Sequence, residues 1–455
     1  MKLVRVSTVI LLAAMIHLSG ANLLWSETED PHHQRPSCSV CGMYIDEYHD
    51  TSTELILKTG EKQETCGVAC MLRIINDKGG PGAFTSIMVH DWATKNSVHA
   101  AGATYVIGSK IIPDMLPNII AFEKKSDAET FKAKEGGALL DFTQALMSIA
   151  PMGMTMPTRI KTAVVSPKGS FAAGIGYMHM EMDKVKLGSR TKDPLAFVQK
   201  SGQMMGPKEM TSDADMVMLS YSLTDDLSLG LSEAYLKKKM ESYKMGGAVT
   251  ETTNNDGLGD VDVNLRYGLW KDVYYSKFFS LFAGTTLPTG EFKKEYINMI
   301  GLQNGTGAPS FTGGLLYSQR WWDLWFHAMT SYTTGLENGD DYRFGDTARA
   351  GAAMHYTPTY DLMMGLEIDG ANYDKDEYKD IRLGNTGGFR SNIAAVTQWR
   401  FLTAFGGNFS LRVLAGIPIY EDLNHFKVGQ SEKVKMGGGY FGLATINFSN
   451  RFLSD

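Results

Sequence analysis

The sequence lacks several features that define common protein classes. Beyond the first 20 residues it contains no run of about 18 to 20 apolar residues, the length that a membrane-spanning helix needs. Basic residues are not in excess, because 44 Lys and Arg face 50 Asp and Glu. The net charge of −6 therefore argues against nucleic-acid binding. We find no Ser/His/Asp order, phosphate-binding glycine loop or paired carboxylates, so we expect no enzymatic activity.

The first 21 residues are typical of a cleavable export signal. Lys2 and Arg5 precede a mostly apolar stretch, and small residues before Ala21 favour cleavage after it. No cysteine follows the apolar stretch directly, which argues against a lipoprotein anchor. We therefore expect a signal peptide over residues 1–21 and an exported chain.

Cysteine is scarce and confined to one region. The chain has four cysteines, and they are Cys38, Cys41, Cys66 and Cys70. In an oxidising compartment four cysteines can form two disulfides in three possible pairings, and CxxC with CxxxC can also close a tetrahedral zinc site. A thiol oxidoreductase is disfavoured because the CxxC does not open a helix in a βαβ setting. Thiolates beside methionine favour Cu(I).

Residues 37–147 show mixed periodicity typical of a small α+β domain. Strands are predicted near 54–60, 86–89 and 103–107, and a short helix over 69–76. A further helix is predicted from Ser126, with Ser126 as N-cap and Glu129 completing a capping box.

The ordered motifs of this region resemble the NosL family. They are Cys38-Ser-Val-Cys41-Gly-Met43-Tyr44, Cys66-Gly-Val-Ala-Cys70, Val89-His90-Asp91-Trp92, Ala100-Ala-Gly-Ala-Thr-Tyr105-Val106-Ile-Gly-Ser109, Pro113-Asp-Met115, Ile120-Ala121-Phe122, Ala128-Glu-Thr-Phe131 and Gly136-Gly137. Members of this family are periplasmic copper-binding accessory proteins of nitrous oxide reductase maturation. The resemblance implies a Cu(I) site that uses Cys41, Met43 and Met115. Residues two apart in an extended segment point to the same side, so Cys41 and Met43 can converge on one ion.

The remaining cysteines extend this candidate site. Cys38 shares the CxxC with Cys41, and we include it among the candidate ligands. Cys66 and Cys70 would share one face of a helix, and they are secondary candidates for metal binding, redox work, a disulfide or packing.

Residues 168–455 change to a period of two, which predicts an antiparallel transmembrane β-barrel of about 12 strands rather than a soluble sandwich or propeller. In one strand Leu265, Tyr267 and Leu269 alternate with polar residues, which is the pattern of an apolar outer face and a polar inner face. Short and long connections alternate, as periplasmic turns and extracellular loops do. Aromatic residues near strand ends, among them Tyr275 and Trp325, predict interfacial girdles.

This half resembles outer-membrane barrels described as transporters of the phenol-degradation or copper-associated type. The matching pieces are Gly257-Leu-Gly-Asp260-Val, Leu287-Pro-Thr-Gly290 and a methionine-rich opening. Eleven of the 26 methionines lie between Met152 and Met218, and residues 148–167 form a Pro/Met linker. Met178, Met180 and Met182 share one face of the first strand, as lipid-facing packing or as a secondary thioether ladder for Cu(I).

The sequence therefore predicts a non-enzymatic copper protein of the outer membrane. Its first domain would capture Cu(I) in the periplasm, and the barrel would sit in outer-membrane lipid and pass copper or anchor the domain. A periplasmic copper protein is an expected partner. The alternative is a passive channel for small organic solutes with a disulfide-stapled periplasmic domain; metal content separates the two.

Overall fold

The structure is a computed structural model that describes residues 35–149, 157–201, 204–359, 361–428 and 431–451. The predicted signal peptide, Met152, and linker residues 150–156 lie outside the described residues. Among the described residues, none of the helices has both the length and the apolar character needed to cross a membrane.

The first part of the described chain is a small domain built from two sheets and three α-helices. In chain order its elements are β1 (Thr53–Leu57), β2 (Lys62–Thr65), α1 (Val68–Asp77), β3 (Phe84–His90), β4 (Ser97–His99), β5 (Thr104–Ile107), β6 (Ile119–Phe122), α2 (Lys125–Glu135), β7 (Ala138–Leu140) and α3 (Phe142–Ser148). Short 3-10 helices cover Ile45–Tyr48, Pro81–Ala83 and Ala100–Gly102. The sheets have the orders β2-β1-β3-β4 and β6-β5-β7.

Helix α1 forms the centre of this domain because its sequence is apolar on nearly every side. Eight of its ten residues are buried, including Cys70 and Arg73. The predicted capping box at Ser126 is wrong, since α2 begins one residue earlier and no side chain caps it. A capping box forms instead at the start of α3, between Asp141 and Gln144, where an acceptor stands directly before the first helical turn.

The second part of the chain consists almost entirely of antiparallel strands. They are β8 (Ser170–Met182), β9 (Lys184–Leu187), β10 (Arg190–Lys192), β11 (Met205–Ser222), β12 (Leu227–Lys244), β13 (Val249–Leu258), β14 (Val261–Lys271), β15 (Lys277–Leu287), β16 (Ser310–Trp321), β17 (Leu324–Gly335), β18 (Tyr342–Arg343), β19 (Thr347–Tyr356), β20 (Leu362–Tyr373), β21 (Glu377–Tyr378), β22 (Ile381–Arg382), β23 (Gly388–Ala404), β24 (Gly407–Leu423), β25 (Phe426–Val428), β26 (Ser431–Lys433), β27 (Lys435–Gly437) and β28 (Tyr440–Arg451). Helix α4 (Pro194–Ser201) and 3-10 turns at Met245–Gly247 and Lys294–Leu302 interrupt them.

Twelve of these strands close a barrel, which confirms the predicted fold. The hydrogen-bonded order is β8-β11-β12-β14-β15-β16-β17-β19-β20-β23-β24-β28, and β28 pairs with β8 to complete the ring. The alternation predicts strands over 213–223 and 226–238 for β11 and β12. Both are longer, at 18 residues each, because they pair with each other beyond the predicted limits towards the loop end.

The outer face of the barrel is apolar, as the alternation predicted. Leu265, Tyr267 and Leu269 are 42 to 50% exposed, while residues between them face inward. Two of the predicted girdle aromatics are not on this face. Tyr275 and Trp325 are buried at 3% and 1% exposure, because Tyr275 bonds the small domain through Asn118 and the Trp325 side chain points inward against Phe278.

The two ends of the barrel differ in their connections. We call one the turn end, where the strands are joined by residues 223–226, 272–276, 322–323, 357–361 and 405–406. At the other, the loop end, connections run over residues 183–204, 245–260, 288–309, 336–346, 374–387 and 424–439. The loop over 288–309 folds inward, since Leu302 and Gln303 are buried and Asn255 Nδ2 donates to Leu302 O at 2.7 Å.

The described part of the linker is not an exposed tether. Residues 157–168, which we call the strap, run inside the barrel before β8 begins. Glu367 accepts hydrogen bonds from the backbone N–H groups of Thr158 and Arg159 at 2.7 and 2.6 Å. Further along, Ser318 Oγ accepts from Ala163 N at 2.9 Å, and Ile160, Ala163 and Val164 are at most 1% exposed. The strap therefore fixes the small domain to the barrel.

Candidate metal centre

The four cysteines meet at one point in the small domain. Their sulfur atoms all lie within 4.8 Å of one another, and all four are buried. The distance between Cys41 Sγ and Cys66 Sγ is 3.4 Å, and between Cys66 Sγ and Cys70 Sγ 3.8 Å. All are free thiols. The structure thus brings together the predicted CxxC and the secondary pair.

A tight loop presents the first two cysteines. Gly42 N donates to Cys38 O at 2.8 Å, and Cys38 N donates to Met43 O at 2.8 Å. Gly42 has a φ of +80°, a left-handed conformation that glycine adopts without the Cβ clash of other residues. This turn directs both thiols towards the same side, which extended geometry alone would not do for Cys38 and Cys41.

Helix α1 presents the other two cysteines together with a buried cation. Cys66 lies just before the helix and Cys70 in its first turn, so both sulfurs face the loop. Arg73, one turn further on and 4% exposed, directs Nη1 to Cys70 Sγ at 3.8 Å and to Met115 Sδ at 3.4 Å. Its positive charge offsets the negative charge of thiolates gathered at this point.

Hydrogen bonding within the cluster separates the acidities of the thiols. Burial opposes ionisation of Cys38, but hydrogen bonds from Cys41, Cys66 and Cys70 outweigh it and hold the pKa of Cys38 well below its usual range. Hydrogen bonds to the other cysteines raise the pKa of Cys66, and burial raises the pKa of Cys70. The metal-free cluster therefore favours a thiolate at Cys38, with Cys66 and Cys70 protonated.

The two predicted methionines occupy different positions. Met115 Sδ lies 3.0 Å from Cys70 Sγ, which places a thioether at the edge of the cluster. Met43 is 6% exposed and packs in the same core, and its carbonyl closes the loop. Among the described residues, the thioether in contact with the cysteine cluster is that of Met115.

Asp114 packs against the start of α1, next to the cysteine cluster. A Cβ on Gly67, the residue before α1, would lie 1.5 Å from Asp114 Oδ2, so glycine is required for the carboxylate to approach the helix start. A negative charge there is favourable beside the positive end of the helix dipole. The residue that separates Pro113 from Met115 in the sequence thus has a structural role.

The barrel forms one wall of the site. Asn408 Nδ2 donates to Cys41 O and Arg400 Nη1 to Val40 O, each at 2.6 Å. A Cβ on Gly42 would lie 2.7 Å from Gly407 O, so the cysteine loop touches the turn between β23 and β24. Sequence reasoning did not find these contacts, because residues some 360 positions apart carry no mutual signal. Arg73 could have been found as the one charged residue between apolar positions of α1.

The predicted ladder methionines lie on the inner face of the barrel. On β8, Ile175 and Tyr177 are 60% and 48% exposed on the outer face, so Met178, Met180 and Met182 point inward. Met180 packs with Phe441 and other interior residues. The lipid-facing interpretation of these three residues is therefore wrong.

The donor set fits a soft metal ion. A tetrahedron with metal–sulfur distances of about 2.3 Å has edges of about 3.8 Å, close to the Cys66–Cys70 separation of 3.8 Å. Thiolates with a neighbouring thioether are preferred by Cu(I), and four thiolates also suit Zn(II). In either case the ion would be held by the cysteines, out of contact with water.

Comparisons with known proteins find one family match and several similar solved structures. Residues 31–148 match the NosL family. The copper chaperone NosL from Shewanella denitrificans is 29% identical over 25% of this chain and 90% of its own, with a TM-score of 0.23. An outer membrane channel from Pseudomonas putida F1 is 13% identical over 66% of this chain and 100% of its own, with a TM-score of 0.49.

A FadL homologue from Pseudomonas aeruginosa is 10% identical over 63% of this chain and 91% of its own, with a TM-score of 0.32. Curated proteins give no match. The family match confirms a NosL-like domain at the N-terminal side of this chain. The barrel is established by the strand pairing of the chain itself.

Proposed function

We propose that this protein binds Cu(I) in its cysteine cluster and hands it on at the bacterial outer membrane. The observation that carries the proposal is the convergence of four buried thiols with the Met115 thioether in a NosL-like domain. Soft sulfur donors favour Cu(I). In this role the cluster binds and releases the ion without catalysing a reaction.

The barrel supports a membrane location. Its outer face is apolar, and its first and last strands, β8 and β28, respectively begin and end at the turn end. Short turns are typical of the periplasmic side of such barrels. The small domain lies at this end, since Arg320 beside it donates to Ser148 O at 3.0 Å. We therefore assign the domain to the periplasm, the barrel to outer-membrane lipid, and the exchange partner to a periplasmic copper protein such as one serving nitrous oxide reductase maturation.

A second candidate function follows from the sulfur geometry. Four cysteine sulfurs within 4.8 Å of one another are the donor set of a structural zinc site, which would make the domain a zinc-stabilised cap on the barrel. The passive-channel alternative with a disulfide-stapled domain is less well supported, because the four cysteines are free thiols.

The test is a metal titration of the full chain in detergent under reducing, anaerobic conditions. Competition with a chromophoric Cu(I) chelator should show a tight site on the wild type. Cys66→Ser should weaken it by more than the roughly 10- to 100-fold that loss of an outer-shell partner costs. Met71→Leu is the matched control, since Met71 of α1 is as fully buried as Cys66. Retention of one zinc that copper does not displace would support the structural site, and absence of tight copper would overturn the proposal.

A further inference from the structure

A strip of methionines covers part of the inner barrel wall. It comprises inward residues of three neighbouring strands, which we call the methionine lane: Met178, Met180 and Met182 of β8, Met210, Met216 and Met218 of β11, and Met240 of β12. On β11 and β12 the alternate residues Val217, Leu219 and Tyr235 are 42 to 52% exposed on the outer face, so the even-numbered methionines point inward.

The strand register makes the lane continuous. Met182 stands opposite Met210, and Met210 opposite Met240. Met178 stands opposite Ala214, which places Met216 on the diagonal, within reach of a long side chain. From Met218 to Met210 the strand rises about 26 Å, or about 20 Å along the barrel axis at the usual tilt. Over this distance the outer face changes from apolar at Val217 and Leu219 to charged at Asp215, which pairs with Lys237. The lane therefore runs from the edge of the apolar band towards the loop end.

Its composition is unusual for an interior wall. The inner face of an outer-membrane barrel is usually polar, yet here thioethers follow one another. Met218 Cε and Met216 Cε lie 3.4 and 3.5 Å from where a Cβ on Gly174 and Gly176 would stand. The methionine side chains thus lie flat across glycines, and all lane residues except Met210 are only half-buried. Packing alone does not require thioethers at partly exposed positions.

The strap connects the small domain to this lane. Arg159 lies over the ring of Phe441 at 4.3 Å, and Phe441 stands opposite Met180 across β28 and β8. Arg159 is also held by Asp369 at 2.5 Å. The segment that follows the metal-binding domain is therefore anchored at the middle of the lane.

We propose that the methionine lane is a second, weaker set of Cu(I) sites along which the ion moves through the part of the barrel nearest the loop end. The proposal rests on the proposed copper function and names the path within it. Conduction requires several sites that bind strongly enough to admit an ion and weakly enough to release it. Neutral thioethers select Cu(I) without the charge of thiolates, so they meet both conditions.

The test distinguishes the methionine lane from the cysteine cluster by their different affinities for Cu(I). The full chain in detergent is titrated anaerobically with Cu(I) against chelators of different strength. The wild type should bind one equivalent of Cu(I) tightly, in the cluster, and further equivalents more weakly, in the lane. A variant with Met178, Met180, Met182, Met216 and Met218 changed to Leu should lose the weaker equivalents and keep the tight one, since leucine preserves apolar volume. Cys41→Ser with Cys66→Ser should do the reverse.

The matched control changes Met354 and Met364 to Leu, because these methionines are 50% and 44% exposed on the outer face. It should bind as the wild type does. Two partial variants, one on β8 and one on β11, guard against misfolding of the full set; each should lose part of the weaker binding. Weaker equivalents that remain undiminished in both partial variants, or that disappear equally in the control, overturn the lane while leaving the tight site unaffected.

Discussion

The two sulfur-bearing regions of this chain hold sulfur in opposite ways. In the small domain four thiols and the Met115 thioether are gathered at one buried point. On the barrel wall seven thioethers are spread along three strands, and six of them are half-buried. The first arrangement provides one deep site, and the second many shallow ones. This difference matches the two proposed roles, because tight binding and passage require different numbers and kinds of sulfur ligand.

Disrupting the support around the cluster has the largest expected effect on copper binding, because it should abolish the tight site. Gly67→Ala would place a Cβ 1.5 Å from Asp114 Oδ2, and Asp114 is fully buried. We expect a loss of about 3 kcal/mol or more in domain stability, as for severe overpacking, and loss of the tight copper site. Thermal unfolding measures the loss of stability, and Cu(I) competition measures the loss of tight binding. The weaker Cu(I) binding assigned to the lane should remain.

Gly82→Ala is the control, because a Cβ there meets nothing within 4 Å and should change neither quantity. Adding Asp114→Ala to Gly67→Ala should restore part of the stability. If Gly67→Ala unfolds no earlier than Gly82→Ala, the close approach of Asp114 to α1 is not what holds the cluster.

Protonation should affect the cluster and not the lane. Because the pKa of Cys66 and the pKa of Cys70 are raised, both are protonated at neutral pH and must lose a proton to bind metal. As pH falls from 8 to 6, the tight affinity should decrease about tenfold per pH unit for each proton released, and Cys66 and Cys70 together should contribute about a hundredfold per unit.

Cys70→Ser should make the decrease about tenfold smaller per pH unit, because one thiol fewer is deprotonated. Thioethers do not titrate, so the weaker equivalents should have an affinity independent of pH. Equal pH slopes for tight and weak binding would contradict the assignment of the two classes to thiols and thioethers.

Much of the architecture could be predicted from the sequence, because it depends on local patterns. The period of two locates twelve strands within a few residues, and Cys38, Cys41, Cys66 and Cys70 point to a sulfur site. The course of the strap and the contact of Asn408 with Cys41 could not be predicted, since they join segments distant in sequence. Tyr275 and Trp325 show the same limit, because an aromatic residue near a strand end can face either side of the wall.

The strap gives the third prediction, at the junction of the two regions. Asp369→Asn removes the charged partner of Arg159 and Arg349, at 2.5 and 3.0 Å. The Asp369 side chain is 1% exposed, but the arginines are 20% and 35% exposed, so we expect a loss of about 2 kcal/mol rather than the larger cost of a fully buried pair. The strap should loosen, and conductance across a planar bilayer should increase.

Asp215→Asn is the matched control. Asp215 pairs with Lys237 at 2.8 Å on the outer face, where both are more than half exposed, and such pairs contribute about 1 kcal/mol or less. This variant should leave conductance unchanged. An Asp369→Asn protein that conducts no better than Asp215→Asn would show that the strap does not limit passage.

The contact between barrel and cysteine loop gives the smallest expected effect. Asn408→Ala removes the hydrogen bond to Cys41 O at 2.6 Å, which should contribute about 1 kcal/mol. The tight site should therefore release Cu(I) about fivefold faster to a chelator, because the loop loses one of its two anchors on the barrel. Asn447→Ala is the control, since Asn447 bonds Thr445 on β28 and touches no cysteine. A release rate equal in both variants would mean that the small domain holds its metal independently of the barrel, and the wall formed by Asn408 and Arg400 would then serve attachment alone.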